Sequence, residues 1–257
     1  MAGARREEYN EAMKRLLLIV GLLAGGSVSA ADITVLSSTG LTSTLDQLKQ
    51  TFEARSGDRL LITYSTTGQF KKQIDEGAAF DLCILTAPIL DQLVASGKVA
   101  GPRIDLARSG IGVSVRKGAK KPDISTADAF KQAILSAGSV AYTGTGASGT
   151  YFVSLADRLG IGDAVRAKAH VTPTGAAGEL VARGEAELAI QQISELLPVA
   201  GTELVGPLPP ELQSITLFSA GVSAQSRDPA RARALAEFLT SPDAIAVIRA
   251  KGMEPSL

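Results

Sequence analysis

Four stretches of this 257-residue chain place small hydroxylated residues beside glycine where an apolar run gives way to a helical pattern. They are Ser37-Ser38-Thr39-Gly40, Ser65-Thr66-Thr67-Gly68, Ala147-Ser148-Gly149-Thr150 and Thr172-Pro173-Thr174-Gly175. The first amides of a helix have no partner inside it, and the peptide dipoles favour negative charge there. Such a turn can seat an anion with no formal positive charge, through N–H···O⁻ bonds roughly twice as strong as neutral ones. One turn alone is an ordinary helix cap. Several turns at the carboxyl ends of parallel strands, where α/β sheets bind ligands, describe a site. The chemistry expected is therefore capture of a small anion at the first three turns, with the Thr174 turn as a further contact.

Other residue types narrow the chemistry. His170 is the sole histidine and Cys83 the sole cysteine, so no multi-His or Cys-ligated metal site is expected. Cys83 lies in an apolar strand and reads as a buried, inert thiol. Gly144-Thr145-Gly146 lacks the spacing of a dinucleotide fingerprint, and there is no Gly-Lys-Ser/Thr phosphate loop. No Ser-His-Asp arrangement can be argued from spacing. His170, alone at a strand end, is either structural or a proton carrier. Lys71 and Lys72 fall in the first turns of a helix, the unfavourable end for cations, and are either solvated or within reach of an anion. Arg108, just before a strand, is open to the same two readings. Gln191-Gln192-Ile193-Ser194-Glu195 puts polar side chains at the end of an apolar strand. The 26 Lys and Arg balance 26 Asp and Glu, which argues against a nucleic-acid partner, and the absence of Trp argues against a base-stacking platform.

The elements that must position these residues follow from periodicity. Strands are predicted over 33–36, 60–64 and 81–85, each followed by a helix: 41–55, one bearing Phe70 and Ile74, and 87–96. That βαβαβα order demands a parallel sheet covered on both faces. A strand over 109–115 follows the polar segment Gly101-Pro102-Arg103, and a second series then alternates. Its helices are 126–137, 150–159 and 176–183, and its strands 139–142, 169–171 and 188–191. Pro207, Pro209 and Pro210 mark a stiff connection before a strand over 215–224, and helices over 229–239 and 242–250 close the chain. Two α/β series with a returning strand predict two lobes: 32–107 with 217–257, and 108–216. At the N-terminus, Lys14-Arg15, the apolar run 16–23 and Val28-Ser29-Ala30-Ala31 read as an export signal over residues 1–31, with Met13 as an alternative start. The run is too short to span a bilayer. A soluble periplasmic protein, monomeric after cleavage, is expected.

The chain resembles the periplasmic molybdate-binding protein family of ABC importers. The likeness rests on the Ser-rich first turn, on Ser65-Thr66-Thr67-Gly68 with Gln73-Ile74-Asp75-Glu76-Gly77-Ala78 and Asp81-Leu82, and on Gly184-Glu185-Ala186 and Lys251-Gly252-Met253. It implies an α/β, two-lobed type II periplasmic binding fold, mostly parallel sheets with the ligand in an interlobe cleft. By position it implies ligand contacts at Ser38, Thr39, Gly40, Thr67, Gly68, Ser148, Gly149, Thr174 and Gln192. Gln192 stands where the family uses a tyrosine on the oxyanion. Ser109-Gly110-Ile111-Gly112-Val113 and Ser194-Glu195 also depart from the molybdate proteins and look like a divergent branch that includes aconitate isomerases.

Two functions of different kinds are therefore open. One is a cofactor-free, metal-free isomerase of cis- and trans-aconitate, working by an allylic proton shift on a tricarboxylate. It needs a base and a seat for dienolate-like charge, and His170, Glu195, Tyr151 and Lys72 are the candidate proton carriers. The other is a binding protein that delivers a molybdate-like oxyanion or a carboxylate to an ABC permease.

Overall fold

The computed structural model describes residues 30–256. All but the last two residues of the expected export signal lie outside them. Among the described residues no helix is long and apolar enough to cross a membrane.

The chain begins with parallel strands β1 (Asp32–Ser38), β2 (Arg59–Ser65) and β3 (Leu82–Thr86), linked by helices α1 (Thr42–Ser56) and α2 (Thr67–Asp75). A 3-10 turn (Thr39–Leu41) joins β1 to α1. Helix α3 (Ala87–Ala95) leads into β4 (Val99–Arg116). The second series is α4 (Ala127–Ser136), β5 (Val140–Thr143), α5 (Ala147–Arg158), α6 (Gly162–Arg166), β6 (Ala169–Thr172), α7 (Ala177–Arg183), β7 (Leu188–Gln192) and α8 (Ile193–Leu196). Then come β8 (Thr202–Pro207), β9 (Ile215–Ser223), α9 (Pro229–Phe238), α10 (Pro242–Ala250) and the two-residue β10 (Glu254–Pro255). The main strand order is β2-β1-β3-β9-β4-β7-β5-β6. Parallel triplets, β2-β1-β3 and β7-β5-β6, flank the antiparallel pair β9 and β4.

Apolar side chains bury on both flanks. Leu45, Leu48 and Phe52 of α1 pack with Val35, Ile84 and Phe218 of the first triplet and β9, together with Leu235 and Ile248 of the last two helices. Phe130, Phe152, Ile134 and Leu155 cover Val113, Val140 and Ile190 on the other flank. Each fully buried Phe or Leu contributes about 1.5–3 kcal/mol by leaving water. Helices α4, α9 and α10 start on side-chain caps from Thr126, Asp228 and Ser241.

Several features differ from the pattern-based expectation, among them the short helices α6 and α8, which it did not contain. The strand expected over 109–115 is the end of β4, which starts at Val99 and runs straight through Gly101-Pro102-Arg103. Its register against β9 slips between Ala100 and Ile104, and Gly101 takes a positive φ of 72°, so the strand absorbs the proline in an irregular stretch rather than ending there. The stiff connection ending at the prolines contains β8, paired antiparallel with β4. Helix α5 begins at Ala147, three residues before expectation, because the Gly-rich turn itself winds into the first turn. The expected boundaries at 107/108 and 216/217 fall inside β4 and β9, which are continuous strands.

Candidate functional site

The turns that end β1, β2 and β5 meet. Ser38 and Thr39 from the 3-10 turn, Thr66 and Thr67 from the start of α2, and Thr143, Gly146, Ala147 and Ser148 from the start of α5 enclose a cavity of about 20 Å³. Gln192 and Glu195, at the end of β7 and in α8, and Phe218 of β9 complete it. That is room for one or two waters, or for a single carboxylate or compact oxyanion group. The cavity is closed on one side by contacts between the two strand series: Thr66 Oγ1 lies 3.0 Å from Thr145 Oγ1, and Gln69 Nε2 donates to Pro173 O at 3.4 Å.

The local chemistry matches an anion seat. Helix α5 has no side-chain cap, since its N-cap is Gly146, so its first amides are left for another acceptor. Thr67 Oγ1 is buried and unpartnered among the described residues. The Gln192 amide is held through Nε2 to Thr216 Oγ1 at 2.7 Å, while Oε1 is buried without a partner. A hydroxyl can donate or accept, so this amide can turn over and offer its N–H₂ to the cavity. Among the described residues no lysine or arginine lines the cavity. Its donors are neutral, and its one ionisable lining group is Glu195.

Glu195 is the chemically distinctive residue. Burial pushes its carboxyl from 4.5 up to about 7, against the opposing pull of hydrogen bonds from Thr39, the Gln191 side chain and the Gln192 backbone. Gln191 is itself fixed by Nε2 donating to Gly175 O at 2.7 Å. Gly175 is pressed close: a Cβ there would sit 3.0 Å from Glu195 Oε1 and 3.2 Å from Thr39 Cβ. A carboxyl poised near neutrality can both take and give a proton at ordinary pH.

Of the residues expected at the site, Ser38, Thr39, Thr67, Ser148, Gln192 and Glu195 come together. Gly40 and Gly149 act by packing instead, while Gly68 has room for a side chain. A Cβ on Gly40 would meet Phe218 Cζ at 2.5 Å, one on Gly149 would lie 1.8 Å from Thr143 O, and one on Gly68 would lie 3.5 Å from Thr145 O. Thr174 lines a neighbouring hollow rather than the cavity. The remaining proton-carrier candidates lie outside the cavity lining. His170 is exposed on β6, beside Ala141. Tyr151 donates its O–H to Leu212 O at 2.9 Å and stacks under Arg158. Lys72 points to solvent, its side chain 77% exposed and 3.8 Å from Glu76. Lys71 pairs with Asp75 at 2.6 Å, and Arg108 is exposed. Sequence reasoning missed Thr66, Thr143, Gly146, Ala147 and Phe218 as lining residues. Thr66 and Thr143 sit inside or beside the quoted turns, whereas Phe218 carries no local signal because it arrives on a strand far along the chain. Among the described residues no group of three or more His, Cys, Asp or Glu is placed to hold a metal ion.

The family model for bacterial extracellular solute-binding proteins matches residues 33–254. The chain is 39% identical over 247 residues to an aconitate isomerase from Pseudomonas sp, covering 93% of each. It is 26% identical over 249 residues to the molybdate-binding protein of Azotobacter vinelandii, covering 93% of this chain and 97% of that one. The solved periplasmic molybdate-binding protein of Azotobacter vinelandii superposes with a TM-score of 0.72 at 19% identity, over 88% of this chain and 99% of that one.

Proposed function

The chain belongs to the family of bacterial extracellular solute-binding proteins, and from that premise we propose that it is a periplasmic isomerase interconverting cis- and trans-aconitate. The observation that carries this reading is Glu195: an anion cavity of neutral donors contains one carboxyl held near neutrality. A protein that merely encloses an anion gains nothing from a titrating carboxyl facing it, since like charges repel. An enzyme moving a proton needs such a group within reach of the substrate.

In this mechanism a substrate carboxylate sits on the first amides of α5 and the hydroxyls of Thr39, Thr67 and Ser148. Glu195, ionised, removes a proton from the methylene carbon. The C–H electron pair shifts the double bond by one position, and the transient charge spreads over the conjugated carboxylates. The neutral donors stabilise that charge where it develops. Protonated Glu195 then delivers that proton to the former vinylic carbon, which becomes the methylene, so no atom is gained or lost overall. No cofactor or metal takes part. The two strand series act as two lobes about the crossovers β4 and β9, and the cleft between them admits the substrate.

The second reading is a binding protein that passes a compact oxyanion to an ABC permease. The small, hydroxyl-lined cavity and the likeness to a molybdate-binding protein favour it. Incubating purified protein with trans-aconitate and following the cis product separates the two. Turnover that is abolished by Glu195→Gln supports the isomerase. Absence of turnover, with thermal stabilisation by molybdate, replaces it with the carrier.

A further inference from the structure

A six-carbon tricarboxylate is several times larger than the 20 Å³ cavity that holds the donors. Beside that cavity lies a hollow of about 860 Å³, bounded by the start of α1, Tyr64 of β2, the turn before α7, α7 itself and the segment after α8. The two spaces share two lining residues, Thr39 and Glu195. A carboxylate seated in the cavity therefore presents its carbon chain at Glu195 and extends the rest toward the hollow.

The hollow has a charge pattern of its own. Asp46, Glu179 and Arg183 line it together with hydroxyls of Thr42, Ser43 and Tyr64. Asp46 is occupied by the Tyr64 O–H at 2.7 Å. Among the described residues lining either space, Arg183 is the sole cation. Its Nε and Nη2 are taken by Glu185, whereas Nη1 lies 3.8 Å from Glu179, beyond hydrogen-bond reach. That nitrogen keeps only the looser ion pair with Glu179, and its N–H can donate to a ligand carboxylate without breaking the Glu185 pair.

We propose that this hollow is a second subsite, which takes the distal carboxylate of a polycarboxylate on Arg183 while the proximal carboxylate occupies the cavity. The inference rests on the isomerase reading and deepens it. It makes Glu195 the threshold between the subsites, so the carbon next to the anchored carboxylate halts beside the group that moves its proton. It also makes Arg183, not the hydroxyl cavity, the selector of long polycarboxylates over compact anions.

The test uses the full mature chain and two probes: trans-aconitate as substrate, and crotonate, an unsaturated monocarboxylate without the distal arm, as competitive inhibitor. Arg183→Gln should raise KM for trans-aconitate about tenfold while leaving the crotonate inhibition constant unchanged, the size expected for one charge-assisted bond. Arg183→Lys should restore most of the loss. Ala200→Trp, which fills the hollow from an exposed turn, should likewise weaken trans-aconitate and spare crotonate. Unchanged KM in both Arg183→Gln and Ala200→Trp overturns the subsite, as does an equal loss for the two probes. A wild-type protein that neither binds nor isomerises trans-aconitate is a different result, and it removes the isomerase reading along with the subsite.

Discussion

Replacing Glu195 by Gln should have opposite effects on function and on stability. Burial raises the carboxyl from 4.5 to about 7, so between those values the folded protein keeps a proton that the unfolded chain has released. Wild-type stability is therefore highest, with respect to this group, below pH 4.5, and falls as pH rises through the window to about 7. At about 1.4 kcal/mol per tenfold change in proton concentration, the full span corresponds to about 2–3 kcal/mol once partial solvent contact is allowed for. Glutamine is nearly isosteric and does not ionise, so Glu195→Gln should match the wild type at pH 4 and exceed it by that amount at pH 8. The assay is urea unfolding of both proteins at each pH, comparing midpoints at equal m-values. Turnover of trans-aconitate by the same variant should drop a hundredfold or more, in the range for loss of a general acid–base group. Parallel stability profiles for the two proteins would refute the argument, because they would mean that Glu195 is as well solvated as an ordinary surface carboxylate.

Three further outcomes are expected. Thr67→Ala removes a buried hydroxyl with no partner, so stability should stay level or rise slightly, while anion affinity weakens by about 1 kcal/mol in a calorimetric titration. Gly149→Ala places a Cβ 1.8 Å from Thr143 O, a backbone atom that cannot step aside, and should destabilise the fold by more than about 3 kcal/mol in chemical denaturation. Lys72→Ala and His170→Asn alter exposed groups away from the cavity and should each leave turnover within about twofold; a large loss in either would reopen its role as proton carrier.

On the isomerase reading proposed above, the arrangement lets a carrier fold host chemistry. On that reading a cavity of neutral donors and helix starts would hold an anion without a fixed cation, leaving one carboxyl beside it free to alternate between protonation states. In a site lined with lysine or arginine, that carboxyl would be held ionised well below neutrality and would be a poor acid. The absence of basic side chains from the cavity and the raised Glu195 are two sides of one design.

Local pattern alone determined much of this protein. The alternation of apolar runs with helical spacing set the order of strands and helices through 33–115 and, apart from the short α6, through 127–192, and the hydroxyl-glycine turns pointed to residues that line the cavity. The neutral charge balance argued against a nucleic-acid partner, and the single histidine left no multi-His metal site to expect. These features are legible because they depend on neighbours a few residues apart. Tertiary structure decided which turns converge. The turns at Thr39, Thr67 and Ser148 share a cavity, while the turn at Thr174, with much the same composition, opens into the hollow beside it. It decided that Gly40 and Gly149 serve close packing against Phe218 and Thr143, and that Pro102 lies within a strand. It also separated four equivalent proton-carrier candidates into one at the cavity and three elsewhere. Side-chain ionisation follows the same rule: nothing in the segment around Glu195 predicts a carboxyl near neutrality, because the desolvation that raises it is supplied by elements brought from distant parts of the chain.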